Sequence, residues 1–536
     1  MNILLVMVAF AAVSCQKPAV EQAALADPSD LKVEQVDEET VVLRWTDNAS
    51  GEVGYRVFLR GEGDSYSVDP LETIAADAVE HTFGGLTAGV EYDFGVQAVA
   101  AELRYHSKVV YYNNFVIPVP EEPEVPVDPE VDPQVVPTVI KVKASYAYIA
   151  VSYKVAKING SNPEHGVCFS ASGVPTVDDI KAYGPEIKAN TEILQVVPNA
   201  YLEDGVEYQM CVYIKDGNDY RYSEPQTVKL EAQPAAVELK WEKQTYAGLP
   251  ADVEVYKTTS KLNDRNFNAW YAIADPSKVD FRVLYPETVG TKKTVASQAE
   301  AAGDCLALIN GAIYGNYNIG VIITEGKMTQ QWHGEIEGCY WATNSQLYQL
   351  TRPIIGVDKD GKAGAYWVGV PQQGTFYYYD RPQPNVVGQA KYGKVTSTSP
   401  VPAVSWEPYY AISCGPMVLY DGLVCADNSM VDDTHYYTNF ECWDESGVYS
   451  AHPDRTAVGV TADGKIVLFI CDGRIDASQG AYIKELGPIM KSIGCVHAMN
   501  LDGGGSTGMW LSGAGMINYK DSSWRAVKST LGFFTK

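Results

Sequence analysis

The sequence predicts a multidomain chain: two all-β sandwiches followed by one large α+β domain. Three observations carry the prediction. Short alternating apolar runs, punctuated by turn residues, fill 28–117 and return over 138–232, which is the pattern of a β-sandwich. Between them, 118–137 holds seven prolines and six acids in 20 positions. From about Val237 the runs alternate with helical segments, and the roughly 300 residues left fit one α+β domain. The length of 536 residues agrees with this count, at about three or four domains.

The N-terminus opens on an apolar run of 11 residues, Ile3 to Val13. That is shorter than the ~18–20 needed to cross a bilayer. It ends in small residues, so 1–15 reads as a signal peptide. Ala12-Val13-Ser14-Cys15 resembles a bacterial lipobox, in which Cys15 is lipidated after cleavage, although no Lys or Arg precedes the run. The expectation is an exported lipoprotein at the outer membrane, cell surface or periplasmic face, with 16–27 as a tether and the membrane reached through Cys15. Nine cysteines follow Cys15, an odd number that leaves at least one thiol free. Cys168 and Cys211 either pair or act as small buried hydrophobes.

In the first sandwich Trp45 lies on an early strand, and Leu86-Thr87-Ala88-Gly89-Val90-Glu91-Tyr92 precedes a late one. This resembles the tyrosine-corner segment of fibronectin type III domains, with Tyr92 as the corner residue. Leu202-Glu203-Asp204-Gly205-Val206-Glu207-Tyr208 repeats the signature in the second sandwich. Neither sandwich concentrates His, Cys or carboxylates, so both read as spacers. The Pro/acidic segment reads as a stiff extended linker. In the α+β domain, Val295 to Asp304 and Ala481 to Ile493 read as helices. The second carries Ile483, Leu486, Ile489, Met490 and Ile493 at three- and four-residue steps, with Pro488 as a kink or a new helical turn.

Acidic residues outnumber basic ones by 67 to 41, giving a net charge of −26. That argues against a nucleic-acid partner, which needs clustered Lys and Arg. A local pocket for one small anion stays open, and 36 tyrosines suit a sugar-facing surface.

The densest polar cluster is Asn500-Leu501-Asp502-Gly503-Gly504-Gly505-Ser506-Thr507. Asn500 and Asp502 are two apart on an emerging strand and so share a face. Three glycines allow close backbone approach, and their N–H groups are expected to form an anion nest. Gly503 to Gly508 also satisfies G-x-G-x-x-G, and Gly504 to Gly508 satisfies G-x-S-x-G. Dinucleotide binding fails because no helix and second strand fit in the 28 residues that follow. The nucleophile elbow fails because the last histidine, His497, precedes Ser506. Two further clusters are His452-Pro453-Asp454-Arg455-Thr456, where Arg455 suits bidentate phosphate binding, and Asp472-Gly473-Arg474 at the end of a strand.

In this order the clusters, with Glu485-Leu486, Asn310-Gly311-Ala312-Ile313-Tyr314, Cys414-Gly415-Pro416 and the pair Asn518 and Arg525, resemble the phosphodiester glycosidase family over about 240–536. Ala312 and the extra Asp454 depart from its pattern. The resemblance implies hydrolysis of a sugar-1-phosphodiester in a glycan at the glycosidic bond. It makes Asp502, Glu485 and Asp472 candidate catalytic carboxylates, with His452 to orient or shuttle. Candidate substrate-binding residues are Asn310, Arg455, Thr456, Asn500, Gly503, Gly504, Gly505, Ser506 and Arg525. No cofactor or protein partner is predicted, no metal-ligand motif stands out, and scattered Asp and Asn leave room for a structural Ca²⁺. The competing readings are a non-catalytic glycan-binding or adhesion lipoprotein and a metal-dependent phosphodiesterase cutting the P–O bond.

Overall fold

The computed structural model describes residues 24–37, 39–61, 70–102, 105–118, 132–285, 291–315, 319–328, 350–372, 375–385, 392–443, 445–519 and 523–536. Cys15, the signal segment and most of the tether and linker lie outside the described residues. The chain divides into two compact units, Met1–Val125 and Pro126–Lys536.

In the first unit, Ser29–Gln35, Val41–Thr46 and Glu80–Phe83 form one antiparallel sheet. Glu72–Ile74, Gly54–Arg60, Glu91–Val99 and Val110–Val116 form the other. Alternation sorts the side chains: Val41, Leu43 and Trp45 are buried, whereas Arg44 and Thr46 stay exposed. Trp45 packs on Tyr55 with ring centroids 5.6 Å apart. The Tyr92 hydroxyl accepts the Thr87 N–H at 2.9 Å, which closes the tyrosine corner.

The second unit opens with the second sandwich. One sheet is Ile193–Pro198, Tyr148–Lys154 and Thr138–Ala144, and the other is built around His165–Ser170 and Glu207–Asp216. Its corner also closes, from the Glu203 N–H to the Tyr208 hydroxyl at 3.0 Å. Cys168 lies directly opposite Cys211 across the strands, and both are buried free thiols. They therefore act as small hydrophobes.

This sandwich is not a spacer. Its core continues into Tyr379, Val395 and Val401 of the following domain. Tyr148 stacks on Tyr437 at 4.6 Å. The Tyr201 hydroxyl donates to the Pro382 carbonyl at 2.9 Å, and Asn199 Nδ2 to the Val424 carbonyl at 2.8 Å. Pairing between distant segments of this kind leaves no local signal in the sequence.

The α+β domain is mostly β. Eight antiparallel strands form its main sheet, in the order Glu242–Gln244, Val253–Thr258, Ala269–Ala274, Ile466–Cys471, Arg455–Thr461, Cys495–Asn500, Met417–Tyr420 and Leu423–Val424. A five-stranded sheet contains Cys305–Asn310, Met509–Leu511 and Thr530–Phe534, and a six-stranded sheet contains Thr351–Asp358 and Pro408–Ser413. One hydrophobic core joins all three.

Helix α1, Val295–Ala302, starts where Thr294 accepts the Ser297 N–H and ends at Gly303 in the left-handed region. Helix α2, Ile483–Ser492, buries Ile483, Leu486, Ile489 and Met490, the stripe the spacing predicts. Pro488 lies inside it, and the helix continues to Ser492 without a second start.

Candidate active site

Strand alternation sets the site. Arg455 and Thr456 are neighbours on Arg455–Thr461, so their side chains leave the main sheet on opposite faces. Ala457 pairs with Asn500, which puts Asn500 on the Arg455 face. Where these strands end, a cleft of about 650 Å³ opens. It is lined by His452, Arg455, Arg474, Tyr482, Asn500, Asp502, Gly503, Gly504, Gly505 and Arg525, among others.

Asp502 is half-buried at the start of the glycine turn. Burial pushes its carboxyl up to about 6; the Ser506 hydroxyl, the Arg525 charge and the Gly503 N–H pull the other way. A carboxyl held near neutrality in a cleft is fit to change protonation during a reaction. Its own peptide is fixed from beneath: Asn310 Nδ2 donates to the Asp502 carbonyl at 2.6 Å. Asn310 Oδ1 in turn accepts from Thr456 Oγ1 at 2.7 Å and from the Gly508 N–H at 3.1 Å. Asn310 and Thr456 are fully buried and do not line the cleft. They hold the turn from beneath.

The triple glycine has a steric cause. A Cβ on Gly503 would lie 2.7 Å from the Asp454 carbonyl oxygen, and one on Gly504, at φ +60°, 2.8 Å from Arg474 Nη2. A Cβ on Gly505 would lie 2.5 Å from Arg525 Nη2. The turn is thus pressed against two guanidinium groups. Two of the three glycine N–H groups of the expected nest already have protein acceptors. The Gly503 N–H serves Asp502, the Gly504 N–H donates to the Asp454 carbonyl at 2.8 Å, and the Ser506 N–H to the Gly503 carbonyl at 3.2 Å. The cations of the cleft are the arginine side chains Arg455, Arg474 and Arg525.

Arg455 is 2% exposed and donates Nε to the Ala481 carbonyl and Nη2 to those of Val448 and Ala451, all within 2.9 Å. It has no ion-pair partner among the described residues, and burial lowers its pKa to about 10. Arg525 donates to Ser506 Oγ at 3.4 Å. Arg474, at φ +60°, pairs with the buried Asp454 at 3.1 Å. Asp454 is therefore the anchor for a third cleft arginine. Around the cleft, three guanidinium groups face two carboxylates, Asp502 and Asp454, in a chain of net charge −26.

Asn500 donates Nδ2 to the Gly415 carbonyl at 2.9 Å, whereas its buried Oδ1 has no partner among the described residues. In the cleft wall, such an orphan acceptor suits a donor on a ligand. His452 Nδ1 bonds the Gln479 carbonyl, which can only accept, so Nδ1 carries the hydrogen and Nε2 the lone pair of the neutral ring. Behind Gly415 sits Glu441, fully buried, taking Trp367 Nε1 at 2.8 Å, Trp443 Nε1 at 3.2 Å and the Met417 N–H at 3.2 Å. Burial raises its carboxyl to about 8.

Two of the candidate carboxylates are not brought to the cleft. Glu485 caps α2. It accepts from Asn263 and Arg265, each at 2.6 Å, and from the Tyr482 N–H at 2.8 Å. Arg265 lies over the Tyr482 ring at 5.2 Å, so Glu485 reaches the cleft through Tyr482 and through its charge, which acts on Arg455. Asp472 continues the alternation of Ile470 and leaves the sheet on the Thr456 face, where it lines a second cavity. Arg474 and Tyr482 were not among the candidates. Arg474 was visible in Asp472-Gly473-Arg474, but its left-handed backbone, which turns it into the cleft, was not. As for metal ligands, Asp47, Glu52 and Asp77 of the first sandwich bring carboxylate oxygens within 4.8 Å of one another, far in sequence from the cleft residues.

Residues 304–534 match the family model described as phosphodiester glycosidase, and 26–111 match that of the fibronectin type III domain. Residues 304–534 are a phosphodiester glycosidase domain. Every cleft residue named above lies within it, although its main sheet also takes in strands from Glu242 onward.

The chain is 39% identical over 80 residues to an SPbeta prophage-derived uncharacterized protein of Bacillus subtilis, covering 15% of this chain and 12% of that one. It is 36% identical over 79 residues to N-acetylglucosamine-1-phosphodiester alpha-N-acetylglucosaminidase of Mus musculus, covering 14% and 15%. The chain thus spans less than a sixth of the length of these curated relatives. Among solved structures, the zebrafish N-acetylglucosamine-1-phosphodiester alpha-N-acetylglucosaminidase catalytic domain, auto-inhibited by its pro-peptide, aligns at a TM-score of 0.36 and 21% identity. That match covers 56% of this chain and 89% of the zebrafish chain.

Proposed function

We propose that the phosphodiester glycosidase domain hydrolyses sugar-1-phosphodiesters at the glycosidic bond, releasing free sugar and leaving a phosphomonoester. The N-acetylglucosamine-1-phosphodiester in the mouse relative's name is the first substrate to test. The observation that carries the reading is Asp502, a carboxyl near neutrality in a cleft that three arginines also line. Arg474, Arg525 and Nη1 of Arg455 receive the phosphate. Asn500 Oδ1 accepts from a sugar hydroxyl or amide N–H. Ionised Asp502 attacks C1 directly, water then hydrolysing the glycosyl–Asp502 ester to release the sugar, or it takes a proton from a water that attacks C1 itself, and the anomer released first distinguishes these. The C1–O bond breaks and its electron pair leaves on the phosphate oxygen. A phosphate leaving group is weakly basic and needs little protonation, so the site works without a second cleft carboxylate. Closely placed guanidiniums stabilise the charge that develops on it.

The test is turnover of GlcNAc-α-1-phosphomethyl ester in ¹⁸O-water. Label in the sugar supports the glycosidase. Label in the phosphate means P–O cleavage, and no turnover across a panel of sugar-1-phosphodiesters favours a glycan-binding protein. The reading includes an exported chain tethered by lipid at Cys15, supported by the run Ile3 to Val13. Radiolabelled palmitate incorporation that persists in Cys15→Ser would overturn the tether.

A further inference from the structure

A second cavity of about 810 Å³ lies across the Asp472–Ser478 loop from the cleft. Strand register explains its walls. Lys257 pairs with Trp270 and Trp270 with Ile470, so these side chains and Asp472 share the sheet face opposite Arg455. The loop then divides its residues: Arg474 enters the cleft, whereas Asp472 and Asp476 line the cavity. Asn518 closes the far side. It accepts the Met509 N–H at 3.1 Å and donates to the Thr507 carbonyl at 3.4 Å, which ties this wall to the end of the glycine turn.

The chemistry of the lining selects a ligand class. Tyr519 stands 56% exposed at the rim, an aromatic face of a size that usually finds cover. Lys257 Nζ lies 4.9 Å from the Trp270 ring centroid, so an ammonium and an indole meet in one wall. One cation and two carboxylates repel a phosphate, in contrast to the arginine-rich cleft. Donors and acceptors interleaved with aromatic faces suit a neutral ring bearing several hydroxyls. The pocket is also roomy enough for one or two pyranose rings.

We propose that this cavity is a saccharide-binding site, separate from the cleft and specific for a neutral sugar. It goes beyond the hydrolase reading and stands whether or not the cleft turns over a phosphodiester.

The test is calorimetric titration of the full chain with the methyl α-glycosides of N-acetylglucosamine, mannose, glucose and galactose. At least one is expected to bind at a Kd of about 1 mM. Tyr519→Ala and Asp476→Asn change exposed side chains and should fold; each is expected to weaken that binding by roughly fivefold or more, as loss of an anchoring contact does. Asp502→Asn is expected to bind the same glycoside within about twofold, since one hydrogen-bonding group in another pocket is changed. The proposal fails if none of the four binds. It also fails if binding is lost in Asp502→Asn and kept in the other two, which would assign the sugar to the cleft. Absence of hydrolysis by the unaltered chain would count against the hydrolase reading alone.

Discussion

Under the proposed hydrolysis, Asp502 is the residue whose proton would decide activity. Its carboxyl stands at about 6 because burial outweighs the Ser506 hydroxyl and the Arg525 charge. If the ionised form does the work, kcat/KM should rise as pH increases through about 6. Arg525→Gln removes a cation that favours ionisation, so that limb should move to higher pH while KM increases; a pH–rate profile of the variant checks both. Asp502→Asn should lower kcat/KM by roughly 10²–10⁴-fold in a folded protein. Glu441 has the same direction of shift with a different consequence. Its buried carboxyl is raised from 4.5 to about 8, so the folded state holds a proton that the unfolded chain releases. The associated stability is complete below about pH 4.5 and is lost as pH rises towards 8. Glu441→Gln should flatten that slope in urea melts taken from pH 5 to 8. It should also cost ~1–3 kcal/mol throughout, because an amide N–H₂ must face one of three N–H donors.

At the scale of elements, the glycine turn and its two arginines act as one device. Gly505→Ala places a Cβ 2.5 Å from Arg525 Nη2, the mobile end of a side chain, so the chain should fold and Arg525 should yield. A several-fold rise in KM with a thermal midpoint changed by only a few degrees is expected; a collapse of stability would show that the turn is structural first. Much of this site was legible beforehand because it is local. Asn500, Asp502 and the glycines follow from strand period and glycine count, and the tyrosine corners at Tyr92 and Tyr208 follow from the resemblance of their segments to fibronectin type III domains. What was not legible depends on chain direction after a strand ends. Asp472 keeps the strand's alternation and faces the other cavity, and two residues later a left-handed backbone sends Arg474 into the cleft. Glu485 looked like a catalytic acid but sits three residues after Tyr482, at the N3 position of α2, where a carboxylate's default use is to cap.

For the whole molecule, the two sandwiches differ in how they relate to the rest of the chain. Met1–Val125 is a compact unit of its own, whereas the second sandwich shares its core with the phosphodiester glycosidase domain through Tyr379, Val395 and Val401. A chain beginning at Pro126 should therefore melt and react like the full protein. One beginning at Val237 should be insoluble or melt well below it, because Tyr148, Tyr153 and Tyr201 are removed from a continuous interior; differential scanning fluorimetry of both separates these outcomes. This dependence was hidden in the sequence, since the partners are separated by some 180 to 280 positions. The crowd of guanidinium groups around Asp502 has one more consequence. If the cleft cuts a sugar-1-phosphodiester as proposed, the diester that enters would carry a single negative charge, but the phosphomonoester left behind would carry close to two above about pH 6. The site would then hold what it has made more firmly than what it is about to cut. Its pace in a closed compartment would be governed by how fast that phosphate is carried away, so that the enzyme works as a one-way gate only where something downstream keeps clearing its exit.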